Sequence, residues 1–195
     1  MEVIEDGIKK PLTEDDHKYL DPRTLEFKDY PIIALVDDVR SFIGWGIRAH
    51  TNGNYNHAII LTRPGMCVSQ DMTGFTEKSI DKYLVNGMML KFWTIRNLTE
   101  DEKNSILVAI SKRLALPWWR RGYDFLGTFV GQLIHVKWLQ NPFAEFCSEE
   151  VNDDFIVPVK RTEVMGIKEP SPSELNQYFV ENPDIMQCLG YFWVD

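Results

Sequence analysis

Residues 57–71 have the sequence HAIILTRPGMCVSQD. The apolar, β-branched run His57–Thr62 is typical of a buried strand, and Arg63-Pro64-Gly65 is typical of a tight turn. Met66–Asp71 then predicts a second strand, which pairs with the first as a hairpin. The hairpin brings the histidine at the start of one strand near Ser69-Gln70-Asp71, the polar end of the other.

Apolar runs on both sides of this hairpin predict further strands. One run covers residues 31–36 and the other covers residues 88–95. Between the first run and the hairpin, residues 41–49 carry a weaker helical pattern that two glycines interrupt. We therefore expect a short helix there and several strands around it.

Two capping boxes predict helices in the second half of the chain. Thr99 and Glu102 have the required spacing, and apolar residues then recur on one face of the expected helix. Ser171 and Glu174 repeat the spacing and predict a helix that ends near Val180. Strands followed by helices in this mixture indicate an α+β fold.

Length and charge limit the range of functions. The chain has 195 residues, which suits one domain with a substantial core, and 44% of them are hydrophobic. Residues 1–29 are charged and weakly patterned, so we expect a loosely packed arm before a single domain over residues 30–195. The net charge of −8 disfavours nucleic acid as a partner, because phosphate contacts need concentrated Lys and Arg. A local basic patch at Arg120 and Arg121 stays an alternative.

The cysteines and the absent targeting signals indicate a compartment. Cys67, Cys147 and Cys188 are few and widely spaced, which fits free thiols in a reducing environment better than a disulfide framework. No secretory signal and no apolar run of about 18 residues is visible, so we expect a cytoplasmic protein, bacterial or phage-encoded. The closely spaced Cys and His pairs of zinc sites are missing, as is a phosphate-binding glycine loop. We therefore expect neither a metal nor a cofactor.

Cys147 and His57 are the residues best suited to nucleophilic chemistry. A helix expected to begin at or near Cys147 would put its thiol at the positive end of the helix dipole, where a thiolate is stabilised. His57 opens an apolar strand, a position from which an imidazole can face a cleft. On local evidence alone, a buried structural cysteine and a core or loop histidine are the more common interpretations.

Four blocks of sequence follow one another over about residues 30–176. They are residues 33–60, which end in Asn-Tyr-Asn-His-Ala-Ile-Ile; residues 68–75; Gly122-Tyr123-Asp124-Phe125 followed by Phe146-Cys147-Ser148-Glu149-Glu150-Val151; and residues 171–175. In this order they resemble the circularly permuted papain-like enzymes of the NlpC superfamily, especially the YiiX-like group. The Tyr-Asp-Phe and Cys-Ser-Glu-x-Val motifs are the most specific part of the resemblance.

The resemblance implies a circularly permuted papain-like α+β fold with a small antiparallel sheet packed with helices. It implies Cys147 as the nucleophile, His57 as its base, and a third polar residue on the strand after the histidine. Relatives commonly have Glu at this third position, which Gln70 occupies here. Ser69 and Asp71 are the alternatives if the register of the hairpin differs by one residue.

The resemblance also implies a thiol hydrolase, a peptidase or amidase that forms an acyl-enzyme on Cys147 while Tyr123 supports the oxyanion. We expect a peptide-like or acyl substrate and favour an amide, because the negative net charge disfavours anionic membranes. A lipid acyl hydrolase or acyltransferase is the first alternative, since Trp118-Trp119 and the apolar residues 125–139 offer a lipid-contacting surface. A catalytically silent binding or structural module is the second, because Gln70 departs from the usual acid.

Overall fold

The computed structural model describes residues 2–5, 8–11, 18–38, 54–71, 74–117, 147–148, 151–159 and 170–193. These residues form an α+β structure with one six-stranded antiparallel sheet and one two-stranded sheet, which confirms the predicted class. The strands are β1 (Glu2–Glu5), β2 (Ile8–Pro11), β3 (Ile32–Asp38), β4 (His57–Arg63), β5 (Met66–Asp71), β6 (Gly74–Ser79), β7 (Met88–Ile95) and β8 (Met186–Trp193).

The six-stranded sheet has the order β6-β5-β4-β3-β7-β8, and each neighbouring pair is antiparallel. β3 lies inside the sheet, and residues 32–36 are buried along its length. Because both faces of this strand are covered, its sequence is a continuous apolar run with no polar alternation. β4 and β5 form the predicted hairpin around Pro64-Gly65. All four strands predicted from the sequence are therefore confirmed.

Side chains alternate between two buried layers, one on each face of the sheet. The Cys147 face carries Ala58 and Ile60 of β4, which share a buried cluster with Cys147. The Tyr83 face carries Ile59 and Leu61, which belong to a second cluster against which Tyr83 packs.

Helices cover the Cys147 face. They are α1 (Glu100–Leu114), a π-helix (Val151–Ile156) and α2 (Pro172–Glu181). Buried apolar residues from all three join the cluster that contains Cys147: Ile106, Ile110, Val151, Phe155, Ile156, Leu175 and Phe179. Short 3-10 helices occur at Pro22–Thr24, Phe27–Asp29 and Ile80–Tyr83.

Both predicted capping boxes are present. Thr99 Oγ1 accepts a hydrogen bond from the Glu102 N–H at 3.2 Å, and the Thr99 N–H donates to Glu102 Oε2 at 2.8 Å. Ser171 and Glu174 make the same reciprocal pair at 3.2 and 2.7 Å. Each cap satisfies N–H groups that have no partner within the helix, so each stabilises the fold by about 1 kcal/mol.

The N-terminal segment attaches to the sheet more closely than its charged sequence suggests. The Leu20 N–H donates to the Tyr191 carbonyl and the Tyr191 N–H donates to the Lys18 carbonyl, each at 2.8 Å. Tyr19 thereby forms a parallel bridge with Tyr191 in β8. These are backbone contacts, which composition does not reveal. The boundary between residues 29 and 30 stays a prediction.

Gly190 permits this attachment. Its φ of +142° is outside the range that residues with side chains usually adopt, and a Cβ there would overlap the Lys18 carbonyl oxygen. It lies at an irregularity in the register of β8, where Phe92 pairs with Gly190 and Trp93 pairs with Cys188. A bulge of this kind re-aims the strand.

Some observed elements were not predicted, and one predicted helix falls on residues outside the described ranges. β6, β8 and the 3-10 helix Ile80–Tyr83 have no counterpart among the sequence expectations. The short helix expected over residues 41–49 lies outside the described residues. Within the described part of the chain, no helix has both the length and the apolar character needed to cross a membrane.

Candidate active site

The thiol of Cys147 lies at the open end of the β4–β5 hairpin. Its Sγ accepts a hydrogen bond from the backbone N–H of Ala58 at 3.3 Å. Pairing between β4 and β5 begins two residues further on, at Ile60 and Val68. Cys147 and Ser148 have helical backbone, and the Cys147 side chain is 1% exposed. An N–H donor favours the thiolate over the thiol, because a negative charge strengthens the hydrogen bond.

His57 is the first residue of β4 and is half-buried. It precedes Ala58 directly, and the Ala58 nitrogen is two covalent bonds from the His57 Cα. The Cys147 sulfur therefore lies within about 6 Å of that Cα. The structure thus brings the predicted nucleophile beside the residue that carries the predicted base, and proton transfer between them stays a prediction.

The imidazole of His57 contacts Tyr83, a residue for which no sequence pattern predicted a role. The two rings stack with their centroids 5.8 Å apart and their planes inclined by 29°. The Nε2 atom of His57 lies 3.3 Å from the Tyr83 Oη. Tyr83 is the last residue of the 3-10 helix after β6, so only the folded chain brings it to the histidine.

Hydrogen bonds continue from Tyr83 into the sheet. Tyr83 Oη lies 3.0 Å from Ser69 Oγ, and Lys78 donates to the same Oγ from Nζ at 3.0 Å. Ser69 is 1% exposed and Lys78 is 9% exposed. We call His57, Tyr83, Ser69 and Lys78 the polar series. It lies on the Tyr83 face, because Lys78 pairs with Cys67 of that layer.

A β-bulge decides which residue of β5 belongs to the polar series. The register shifts between Leu61 and Arg63, so that Arg63 pairs with Met66 while Leu61 pairs with Cys67. An unbroken hairpin would have put Gln70 on the same face as His57, as predicted. A shift of one residue moves every side chain of a strand to the other face.

Gln70 consequently lies on the Cys147 face, where its pairing partner Phe75 belongs to the cluster of Cys147. Ser69, one of the two alternatives, is the β5 residue that the hydrogen bonds connect to His57 through Tyr83. The other alternative, Asp71, ends β5 opposite Gly74. Hydrogen bonds thus connect Tyr83 and Ser69 to His57, and the orienting role expected of Gln70 stays a prediction.

The other two cysteines have different surroundings. Cys67 is fully buried on the Tyr83 face, and this burial raises the pKa of its thiol to about 12, although the nearby Lys78 ammonium opposes the change. Cys188 is half-buried in β8. None of the three cysteines forms a disulfide.

Several predicted features lie outside the described residues. They are Tyr123 with the expected oxyanion role, the basic pair Arg120-Arg121, the pair Trp118-Trp119 and residues 125–139. In the ranges that the structure does describe, no three His, Cys, Asp or Glu side chains are grouped as a metal ion would require. No protein-family model matches the chain, and no curated protein matches it either.

Proposed function

We propose that this chain is a cysteine-dependent hydrolase with a circularly permuted papain-like fold, in which Cys147 is the nucleophile and His57 is its base. The observation that carries the proposal is the hydrogen bond from the Ala58 N–H to the Cys147 Sγ. It puts the sulfur next to the histidine-bearing backbone and supplies a donor to a thiolate. The antiparallel sheet and the helical backbone at Cys147 are compatible with the fold.

The reaction follows from the two residue types. His57 takes the proton of the Cys147 thiol, and the thiolate attacks a carbonyl carbon to form a C–S bond. The tetrahedral oxyanion collapses, the bond to the leaving group breaks, and the imidazolium returns its proton to the departing amine or alcohol. Water, deprotonated by His57, then attacks the thioester. This step releases the carboxylic acid and restores the Cys147 thiol.

An amide, as in a peptide, is the substrate we favour. The net charge of −8 works against docking on anionic membranes, where clustered Lys and Arg are the usual attractant. The imidazolium of His57 supplies the proton that a departing amine needs, because an amine leaves poorly as an anion.

One observation favours a second candidate, a catalytically silent module with the same fold. The Cys147 side chain is 1% exposed, so a substrate carbonyl reaches the sulfur only if its surroundings move. A silent module needs no such access. Reactivity of the thiol in the native protein distinguishes the two candidates.

The test compares the wild type with Cys147→Ala and with a matched control, Cys188→Ala. Amide, ester and lipid acyl probes are incubated with each protein, and turnover and covalent labelling are measured. We expect turnover of an amide probe by the wild type and the control, and its loss in Cys147→Ala. An inert Cys147 in the native protein would support the silent module. Ester turnover that depends on Cys147, with tight binding to anionic liposomes and no amide turnover, would support the lipid enzyme.

A further inference from the structure

The polar series places hydrogen-bonded polar side chains on a buried face of the β-sheet. Lys78 and Ser69 point into a layer that is otherwise largely apolar, and burying such groups costs free energy unless they are hydrogen-bonded. Their hydrogen bonds lead through Tyr83 to His57. The hydrogen bonds of these buried polar groups thus end at the His57 imidazole, which we propose as the base.

The donors and acceptors of the series limit how its protons are arranged. A lysine ammonium only donates, so Ser69 Oγ accepts from Lys78. Either hydroxyl of the Ser69–Tyr83 pair can be the donor. In one arrangement Tyr83 donates to Ser69 and its Oη accepts from the Nε2–H of His57, which leaves Nδ1 without a proton. In the other arrangement Ser69 donates to Tyr83 and Tyr83 donates to Nε2, which leaves the ring proton on Nδ1.

We infer that Tyr83 is a positioning residue for His57, whose hydroxyl holds the Nε2–H tautomer so that Nδ1 can take the proton of Cys147. The inference rests on the proposed function of Cys147. Ring stacking fixes the plane of the imidazole, and the hydroxyl fixes which nitrogen carries the proton. Tyr83 is an orienting group that the sequence expectations did not include.

Tyr83 is itself held against the hairpin that carries His57. The 3-10 helix Ile80–Tyr83 begins with a hydrogen bond from the Ile80 N–H to the Gly65 carbonyl at 3.0 Å. Ser79 caps this helix by accepting from the Asp81 N–H at 3.2 Å. The helix that carries Tyr83 is therefore hydrogen-bonded to the turn of the hairpin that carries His57.

A first test reads the tautomer directly. Nitrogen chemical shifts of the His57 ring are measured by NMR in uniformly ¹⁵N-labelled full-length protein, with His57→Gln used for assignment. We expect the Nε2–H tautomer in the wild type and a mixture of tautomers in Tyr83→Phe, which keeps the ring and removes the hydroxyl. Ser69→Ala should move the shifts in the same direction. Tyr30→Phe is the matched control, because it removes a buried hydroxyl bonded to the Pro22 carbonyl.

A wild type with the Nδ1–H tautomer, or a Tyr83→Phe protein with unchanged His57 shifts, would overturn the inference, and this NMR experiment needs no substrate.

A second, kinetic experiment uses the amide probe that Cys147 turns over. Loss of one hydrogen bond to the base should lower kcat on the order of tenfold in Tyr83→Phe with KM unchanged, and Tyr30→Phe should match the wild type. Turnover that survives Cys147→Ala refutes the proposed function. Turnover that depends on Cys147 and ignores Tyr83→Phe refutes only the role of Tyr83.

Discussion

Cys147 and Cys67 lie on opposite faces of the same sheet, and their thiols meet different surroundings. The Cys147 sulfur has an N–H donor, whereas burial raises the pKa of Cys67 to about 12. Burial therefore disfavours the thiolate form of Cys67 at neutral pH. We expect iodoacetamide at mildly acidic pH to modify Cys147 far faster than Cys67 or Cys188, as measured by peptide mass spectrometry.

Denatured protein is the control for this experiment, because all three thiols are then exposed and should react at similar rates. Equal, slow modification of the three cysteines in the native protein would count against an activated thiolate at Cys147. Fast modification of Cys67 would contradict its raised pKa.

Arg113 of α1 and Asp154 of the π-helix form an ion pair with Nη1 and Oδ2 3.1 Å apart. Desolvation by burial raises the pKa of Asp154, and the arginine opposes this change. Arg113→Met should leave a largely buried carboxylate without its cation and lower the free energy of unfolding by about 1–3 kcal/mol at pH 7. Urea denaturation measures the loss. Adding Asp154→Asn to this variant should recover part of it.

The same ion pair predicts that the stability of Arg113→Met relative to the wild type depends on pH. With the arginine removed, the pKa of Asp154 in the folded state rises further above its ordinary value of 3.8. The folded protein then holds this proton to higher pH than the unfolded chain does. The stability of Arg113→Met relative to the wild type should be greatest below about pH 4 and fall as the pH rises towards neutral. A difference that does not change with pH would contradict the assignment to Asp154.

The capping box of α1 is testable within one helix. Thr99→Ala removes the side-chain acceptor of the Glu102 N–H and should lower the free energy of unfolding by about 1 kcal/mol. Ser105→Ala is the matched control, because its hydroxyl bonds only back to the Asp101 carbonyl of the same exposed helix face. That change should be neutral or slightly stabilising. Equal losses of stability in Thr99→Ala and Ser105→Ala, measured by thermal denaturation, would contradict a stabilising role of the cap.

Sequence patterns were sufficient where the signal was local. The hairpin of β4 and β5 and the capping boxes at Thr99 and Ser171 depend on residues close in the chain, and the structure contains each of them. β8 was missed because its sequence MQCLGYFW neither alternates nor forms a β-branched run. Its partners, β7 and residues 18–20, are distant in sequence.

At the candidate site, sequence patterns predicted some of the residues but not their arrangement. The positions of Cys147 and His57 came from motifs, and the fold brings the Cys147 sulfur to the backbone N–H of Ala58, next to His57. The bulge between Leu61 and Arg63, which no sequence pattern indicated, puts Ser69 and not Gln70 on the face of the polar series. Tyr83 carries no local signal, since only tertiary packing brings its 3-10 helix against the histidine.

Gly190 and Gly65 both have positive φ but differ in their surroundings. A Cβ at Gly190 would overlap the Lys18 carbonyl, whereas nothing lies within 4 Å of one at Gly65. Gly65→Ala should therefore lose about 1 kcal/mol through backbone strain alone. Gly190→Ala should lose about 2 kcal/mol or more and expose residues 18–20 to limited proteolysis. Equal stabilities of the two variants would contradict the close approach of Lys18.

The bridge between Tyr19 and Tyr191 also bears on self-association. β8 has eight residues, none of them charged, and such a strand at the edge of a sheet invites pairing with another molecule. Residues 18–20 occupy the outward N–H and carbonyl groups of Tyr191 at the end of β8 that carries its aromatic residues. Residues 18–20 thus cover this part of the edge of β8. Removing them would expose the backbone N–H and carbonyl of Tyr191 to pairing with another molecule.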